Sequence, residues 1–136
     1  MDLYAEHILE HYRHPHHYGA LPHPRVVHEE TNASCGDVLR IELDTDGQTI
    51  AHVGWTGTGC AISQAAMSMF AEEITGKPLT AAGQKTAKDI VAMLGVPIGA
   101  RRTKCALLCL HAFQNALRKM HGVMPQGWHE TIGDGL

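Results

Sequence analysis

Asp37-Val38-Leu39-Arg40-Ile41-Glu42-Leu43-Asp44-Thr45-Asp46-Gly47-Gln48-Thr49 is the stretch that decides the fold. Leu39, Ile41 and Leu43 alternate with Arg40 and Glu42, the two-residue period of a strand with one face buried. Asp46-Gly47 follows, and both residues tolerate the positive φ of a tight hairpin turn. The spacing predicts strands over Asp37–Asp44 and Thr49–Thr56 joined by that turn. Arg25–Thr31, upstream, is a third candidate strand, and the three together make a short antiparallel meander.

On either side of the meander the period becomes helical. Leu3, Ile8, Leu9 and Tyr12 mark a helix over residues 2–14, stopped by Pro15 and followed by a loop over His14–Pro24. Downstream, Ile62, Ala66, Met69, Phe70 and Ile74 share a helix closed by Gly76 and Pro78. Thr80 is placed to cap a second helix running to Leu94. A third begins near Thr103 and carries Ala106, Leu110, Phe113, Leu117 and Met120 at three- and four-residue steps before Gly122. The expected class is α+β, a three-stranded antiparallel sheet with helices packed on one face. Residues 1–121 are expected to form a single domain and residues 122–136 an irregular C-terminal tail.

At 136 residues, 44% hydrophobic and 18% charged, the chain has the composition of one folded domain rather than a disordered segment. A net charge of −3 argues against nucleic acid as a partner, since phosphate binding needs a basic excess. No apolar run reaches the ~20 residues that span a bilayer, so no membrane association is expected. Asp2 and Glu6 stand where an export signal would carry basic residues, and a cytoplasmic location follows as the expectation.

In such a compartment four cysteines, Cys35, Cys60, Cys105 and Cys109, point to metal or sulfur chemistry rather than to disulfides. Cys35 lies in the turn before the central strand. Cys60 lies between the third strand and the next helix, and Cys105 in the first turn of the last helix. Element ends are where side chains from distant sequence converge. Helix N-termini favour a thiolate at Cys60 and Cys105, and Lys104 adds an accessory positive charge. Asp37, two residues after Cys35 on an extended segment, shares its face and offers a fourth, harder ligand.

Four stretches carry a family resemblance. They are Ile8-Leu9-Glu10-His11-Tyr12-Arg13-His14-Pro15 with Gly19-Ala20-Leu21-Pro22, Asn32-Ala33-Ser34-Cys35-Gly36-Asp37, Gly57-Thr58-Gly59-Cys60-Ala61-Ile62-Ser63, and Arg102-Thr103-Lys104-Cys105-Ala106. Together they resemble the IscU/SufU/NifU N-terminal-domain family of iron–sulfur cluster assembly scaffolds. The resemblance implies an α/β-sandwich with Cys35, Asp37, Cys60 and Cys105 as ligands of a transient [2Fe–2S] cluster or of Zn2+. It also implies a pyridoxal-phosphate cysteine desulfurase as sulfur donor, with Cys35 or Cys105 as acceptor, and apo iron–sulfur proteins as recipients. Lys104 stands where IscU-type scaffolds carry a histidine. The Arg-x-Lys-Cys pattern looks like the SufU branch of zinc-dependent sulfurtransferases, although the 44 residues between Cys60 and Cys105 leave no room for that branch's usual insertion. Scaffold, zinc sulfurtransferase and structural zinc module are therefore the three readings to weigh.

Other motifs have plainer explanations. Cys109 falls beside the apolar stripe of the last helix and is expected in the core. Seven of eleven histidines lie between His7 and His28. His7, His11 and His14, with His16-His17, suit an exposed, partly charged face better than a metal patch. Gly57-x-Gly59 lacks the third glycine of a nucleotide-binding loop, since Ile62 takes its place.

Overall fold

The computed structural model describes residues 5–133. Strands β1 (Val26–Asn32), β2 (Asp37–Thr45) and β3 (Ile50–Thr58) form an antiparallel sheet in the order β1-β2-β3. Helix α1 (Glu6–Arg13) precedes it; α2 (Ala61–Ile74), α3 (Leu79–Gly83), α4 (Ala87–Leu94), α5 (Thr103–Met120) and α6 (Trp128–Ile132) follow. The expected α+β class, with its meander and helices, is the one observed. The first residues of the expected N-terminal helix, 2–4, lie outside the described residues.

Leu39, Ile41 and Leu43 point to the core and are buried, together with their β3 partners Val53 and Trp55. Helix α5 packs over β1 and β2, and α2 over β3 and α5. Both helices are buried around most of their circumference, from Ile62 to Ser68 and from Cys105 to Phe113, as helices inside a layer must be. Phe70 and Phe113 join them edge to face, centroids 5.3 Å apart.

One expected helix is two. Gly83 ends α3, and α4 restarts at Thr86, whose backbone and side chain meet the Asp89 carboxylate in a capping box. Apolar periodicity carries across such a break, so it did not reveal the new cap. The C-terminal segment also departs from expectation, because residues 128–132 are helical. Glu130 closes that turn by accepting the Gly127 N–H.

The loop after α1 covers the far edge of β3. Trp55 N donates to His17 O and Trp55 O accepts from Gly19 N, while Trp55 Nε1 donates to His16 O at 2.8 Å. Leu21 then lies against Gly54, and its N–H donates to Glu42. That bond, with Arg40 Nε at 3.2 Å, partners an acid buried on the outer side of β2, where Arg40 is exposed and Val38 and Asp44 are half-buried. The edge is thus protected by backbone pairing, and the outer face by Leu21 and its bond to the Glu42 side chain.

The inward side of β1 is not apolar. By register with Leu43, Ile41 and Leu39, its core-facing residues are Val26, His28 and Glu30. Helix α5 answers with His111 and Asn115. Asn115 Nδ2 donates to Glu30 at 2.7 Å, and His28 reaches the same carboxylate at 2.8 Å. A polar seam thus runs between β1 and α5 towards Asn32.

Candidate functional site

At the end of that seam the turn Asn32–Asp37, the β3–α2 junction and the start of α5 converge. Gly36, at φ 74°, turns the chain into β2 in a conformation other residues avoid. Cys35 is thereby left exposed on the turn, whereas Asp37 is fully buried. Cys60 is the N-cap of α2 and half-buried; Cys105 is in the first turn of α5 and 2% exposed.

Cys105 Sγ and Cys35 Sγ are 3.3 Å apart, both as free thiols. Ligand atoms of Cys35, Asp37 and Cys105 all lie within 4.8 Å of one another. Cys60 is joined differently: its backbone N–H donates to Asp37 Oδ1 at 2.9 Å, and its sulfur is outside that group of three while lining the same cavity. Gly59 makes this possible. It sits at φ 145°, and a Cβ there would overlap the Asp37 carboxylate. Gly57 packs instead against Leu39 and the Val38 carbonyl. These two glycines therefore admit a carboxylate and a neighbouring strand, not a nucleotide.

The cavity in front of the sulfurs measures about 760 Å³ and is lined by Cys35, Cys60, Cys105, Arg101, Arg102 and Lys104, among others. A cationic rim on a chain of net charge −3 is a local reversal of sign, suited to an anionic cargo. Lys104 extends its Nζ over the Trp128 ring, 5.7 Å from the centroid.

The Cys105 thiol is pushed far up from its ordinary value. Burial is the main cause, with the hydrogen bond to Cys35 next, then the charges of Cys60 and Asp37. The expected helix-terminus depression is overridden there. A cation among the donors would reverse the balance, because each effect that disfavours a lone thiolate favours a coordinated one. Soft sulfurs, one buried carboxylate and an open cavity make a donor set that fits Zn2+ or an iron–sulfur unit. Cys109, by contrast, is enclosed in the core, donates to Ala106 O, and has its thiol pushed up to about 12 by burial.

Two contributors escaped the sequence reading. Asn32 lies inside the first cysteine motif, yet only the fold shows its Nδ2 reaching Asp37 Oδ2 at 3.4 Å and Cys105 Sγ at 3.7 Å. Helix α6 docks by stacking Trp128 on His111, centroids 4.1 Å apart, while His111 Nδ1 meets Thr131 Oγ1 at 2.6 Å. Ile132 consequently borders the cavity.

Comparison with known proteins places the chain in a family. The NifU-like N-terminal domain family matches residues 3–124. The chain belongs to that family. It is 30% identical to the zinc-dependent sulfurtransferase SufU of Bacillus subtilis, over 88% of this chain and 92% of the relative. It is 28% identical to the iron–sulfur cluster assembly scaffold protein IscU of Streptococcus pyogenes, over 86% and 84%. Among solved structures, a candidate iron–sulfur cluster assembly scaffold for the SUF system from Fervidobacterium islandicum superposes with a TM-score of 0.76 at 29% identity. That match covers 85% of this chain and 96% of the other.

Proposed function

We propose that this protein is an iron–sulfur cluster assembly scaffold. It receives sulfur from a pyridoxal-phosphate cysteine desulfurase, holds a labile [2Fe–2S] unit as cargo, and passes it to apo iron–sulfur proteins. The observation that carries this reading is the meeting of Cys35, Asp37 and Cys105 within 4.8 Å at the mouth of a cationic cavity. Cys60, on the same cavity, is the fourth proposed ligand.

Cys35 is the proposed sulfur acceptor, because it is exposed whereas Cys105 is 2% exposed. Its thiolate attacks the terminal sulfur of the desulfurase persulfide. A new S–S bond forms on Cys35 as the old one breaks, and the desulfurase cysteine departs as a thiolate. Arg101, Arg102 and Lys104 offset the negative charge that accumulates. Asp37 has one oxygen held by the Cys60 N–H and the other by Asn32 Nδ2, and its carboxylate lies within 4.8 Å of the Cys35 and Cys105 sulfurs, a hard donor among soft ones that eases release.

A reducing compartment such as the cytoplasm suits four free thiols. Among the described residues, no helix is long and apolar enough to cross a membrane. The test is anaerobic reconstitution with a desulfurase, cysteine and ferrous iron, followed by optical spectra and iron and sulfide analysis. Labile sulfide bound in a one-to-one ratio with iron is the expected result. Iron uptake without sulfide would defeat the reading.

A second reading, a zinc-dependent sulfurtransferase, is favoured by Lys104 beside Cys105 and by the 30% identity to a relative of that name. Stimulated desulfurase turnover with zinc bound and no cluster formed would select it. A purely structural zinc module fits less well, since Cys35 is exposed and structural sites are closed.

A further inference from the structure

A second group of donors lies away from the cysteines. His11 on α1, His16 on the following loop and Glu72 on α2 bring their ligand atoms within 4.8 Å of one another. We propose that His11, His16 and Glu72 form a second metal site, one that takes a borderline divalent ion of the zinc class and ties α1 and its loop to α2.

Two imidazoles and a carboxylate are the donors such an ion prefers, with water completing a tetrahedron. The group is also prepared for its ligand. Ser68 Oγ, fully buried, lies 2.7 Å from His11 Nδ1 and orients the ring. The same hydroxyl accepts the His16 backbone N–H at 2.7 Å, and Trp55 Nε1 donates to His16 O at 2.8 Å. Residue 16 is thus pinned by its own backbone on both sides, and its ring sits 4.4 Å from that of His11. His16 Nδ1 is already paired with Glu72 Oε2.

Beside the group is a depression of about 410 Å³, bordered by His11, Glu72, Glu73 and Lys77, with space for an ion and its water. His16 and Glu72 are exposed, so rotation of their side chains can draw the donors in to bonding distance. The inference does not rest on the iron–sulfur reading, because no residue is shared between the two sites.

The test counts zinc. Reduced, metal-free, full-length protein is titrated anaerobically with Zn2+ and freed of excess by gel filtration. Bound metal is then measured for wild type and for the His16→Gln/Glu72→Gln variant. Both substituted side chains are exposed, so the metal-free variant should melt with wild type. Two equivalents are expected on wild type and one on the variant. Loaded with Co2+, the variant should keep the sulfur-to-metal charge-transfer band of the cysteine site. Zinc should raise the melting temperature of wild type further than that of the variant. A variant that binds as much zinc as wild type overturns the proposal, as does a wild type holding only a thiolate-bound equivalent. A single equivalent lacking the charge-transfer band and lost from the variant would sustain the histidine site while defeating metal binding at the cysteines.

Discussion

The cysteine group and the histidine group each bring three donors within the same 4.8 Å, yet they are built in opposite ways. The cysteine group sits where three element ends meet. Its acid is fully buried, one sulfur is nearly so, and a cavity with cationic walls stands in front. The histidine group lies on a surface, with His16 and Glu72 open to water and only Ser68 beneath it buried. Burial raises the cost of leaving Asp37 or Cys105 without a partner, so occupancy of the proposed site would be coupled to stability and to chemistry. Little desolvation accompanies binding in the second, which suits a staple and not a reaction centre. Identical donor spacing does not imply identical roles; the dielectric around the donors separates them.

The largest effect that would sharpen this contrast is at Cys35. Cys35→Ser should abolish sulfur acceptance and cluster reconstitution, by more than about tenfold given loss of the only exposed thiol of the group. Zinc bound at the histidines should persist in the same variant. Persulfide trapping by mass spectrometry and zinc counts check both halves.

Gly59→Ala comes next. The added methyl group meets the Asp37 carboxylate, on backbone at φ 145°. A loss of roughly 2–3 kcal/mol is expected from strain and displacement of a buried acid, seen as a lower urea midpoint of the metal-free protein. An unchanged midpoint would mean that Asp37 is not held where its bond to Cys60 N indicates.

Asp37→Ala should give a cluster that persists longer and reaches an apo-ferredoxin more slowly. The protein itself should lose about 1–3 kcal/mol from the orphaned Cys60 N–H. A cluster less persistent than wild type would contradict the role given to the hard ligand.

A smaller effect is expected at the seam behind the cysteine site. The His111 pKa is lowered, chiefly by burial. Glu30 on β1 and Glu130 on α6 oppose that shift, and His28 and Lys104 reinforce it. With a folded pKa below the unfolded value near 6.5, the unfolded chain binds the extra proton first. Stability from this residue is complete above about pH 6.5 and declines below it, levelling off once the folded-state pKa is passed. His111→Gln should flatten that part of the stability–pH curve. Persistence of the full slope in the variant would assign it to other histidines.

How much of this was legible in the chain differs by region. Leu39, Ile41 and Leu43 with Asp46-Gly47 announced the hairpin, because a period of two and a turn dipeptide are local properties. The break at Thr86 was hidden, since the apolar pattern continues across it and only a cap reveals the restart. Helix α6 was hidden for a different reason. Five residues cannot sustain a helix by propensity, and Trp128 and Thr131 gain theirs by docking on His111. The histidine group was read as an exposed face, which describes His14, His16 and His17 and the exposed His7, although the His7 ring reaches Leu94 O at 2.6 Å; His11 is drawn inward onto Ser68.

By itself the sequence determined the strands, the longer helices, and the place of Cys35, Asp37, Cys60 and Cys105 at element ends. These follow from the period of apolar residues and from backbone preferences, both of which act over a few neighbours. Tertiary structure alone decided that Cys35 is open while Cys105 is enclosed, that Asp37 holds the Cys60 backbone, and that His11 and His16 meet Glu72. Such outcomes depend on which distant surfaces exclude water from one another, and the solvation of a group is a property of the packed molecule, not of its place in the chain.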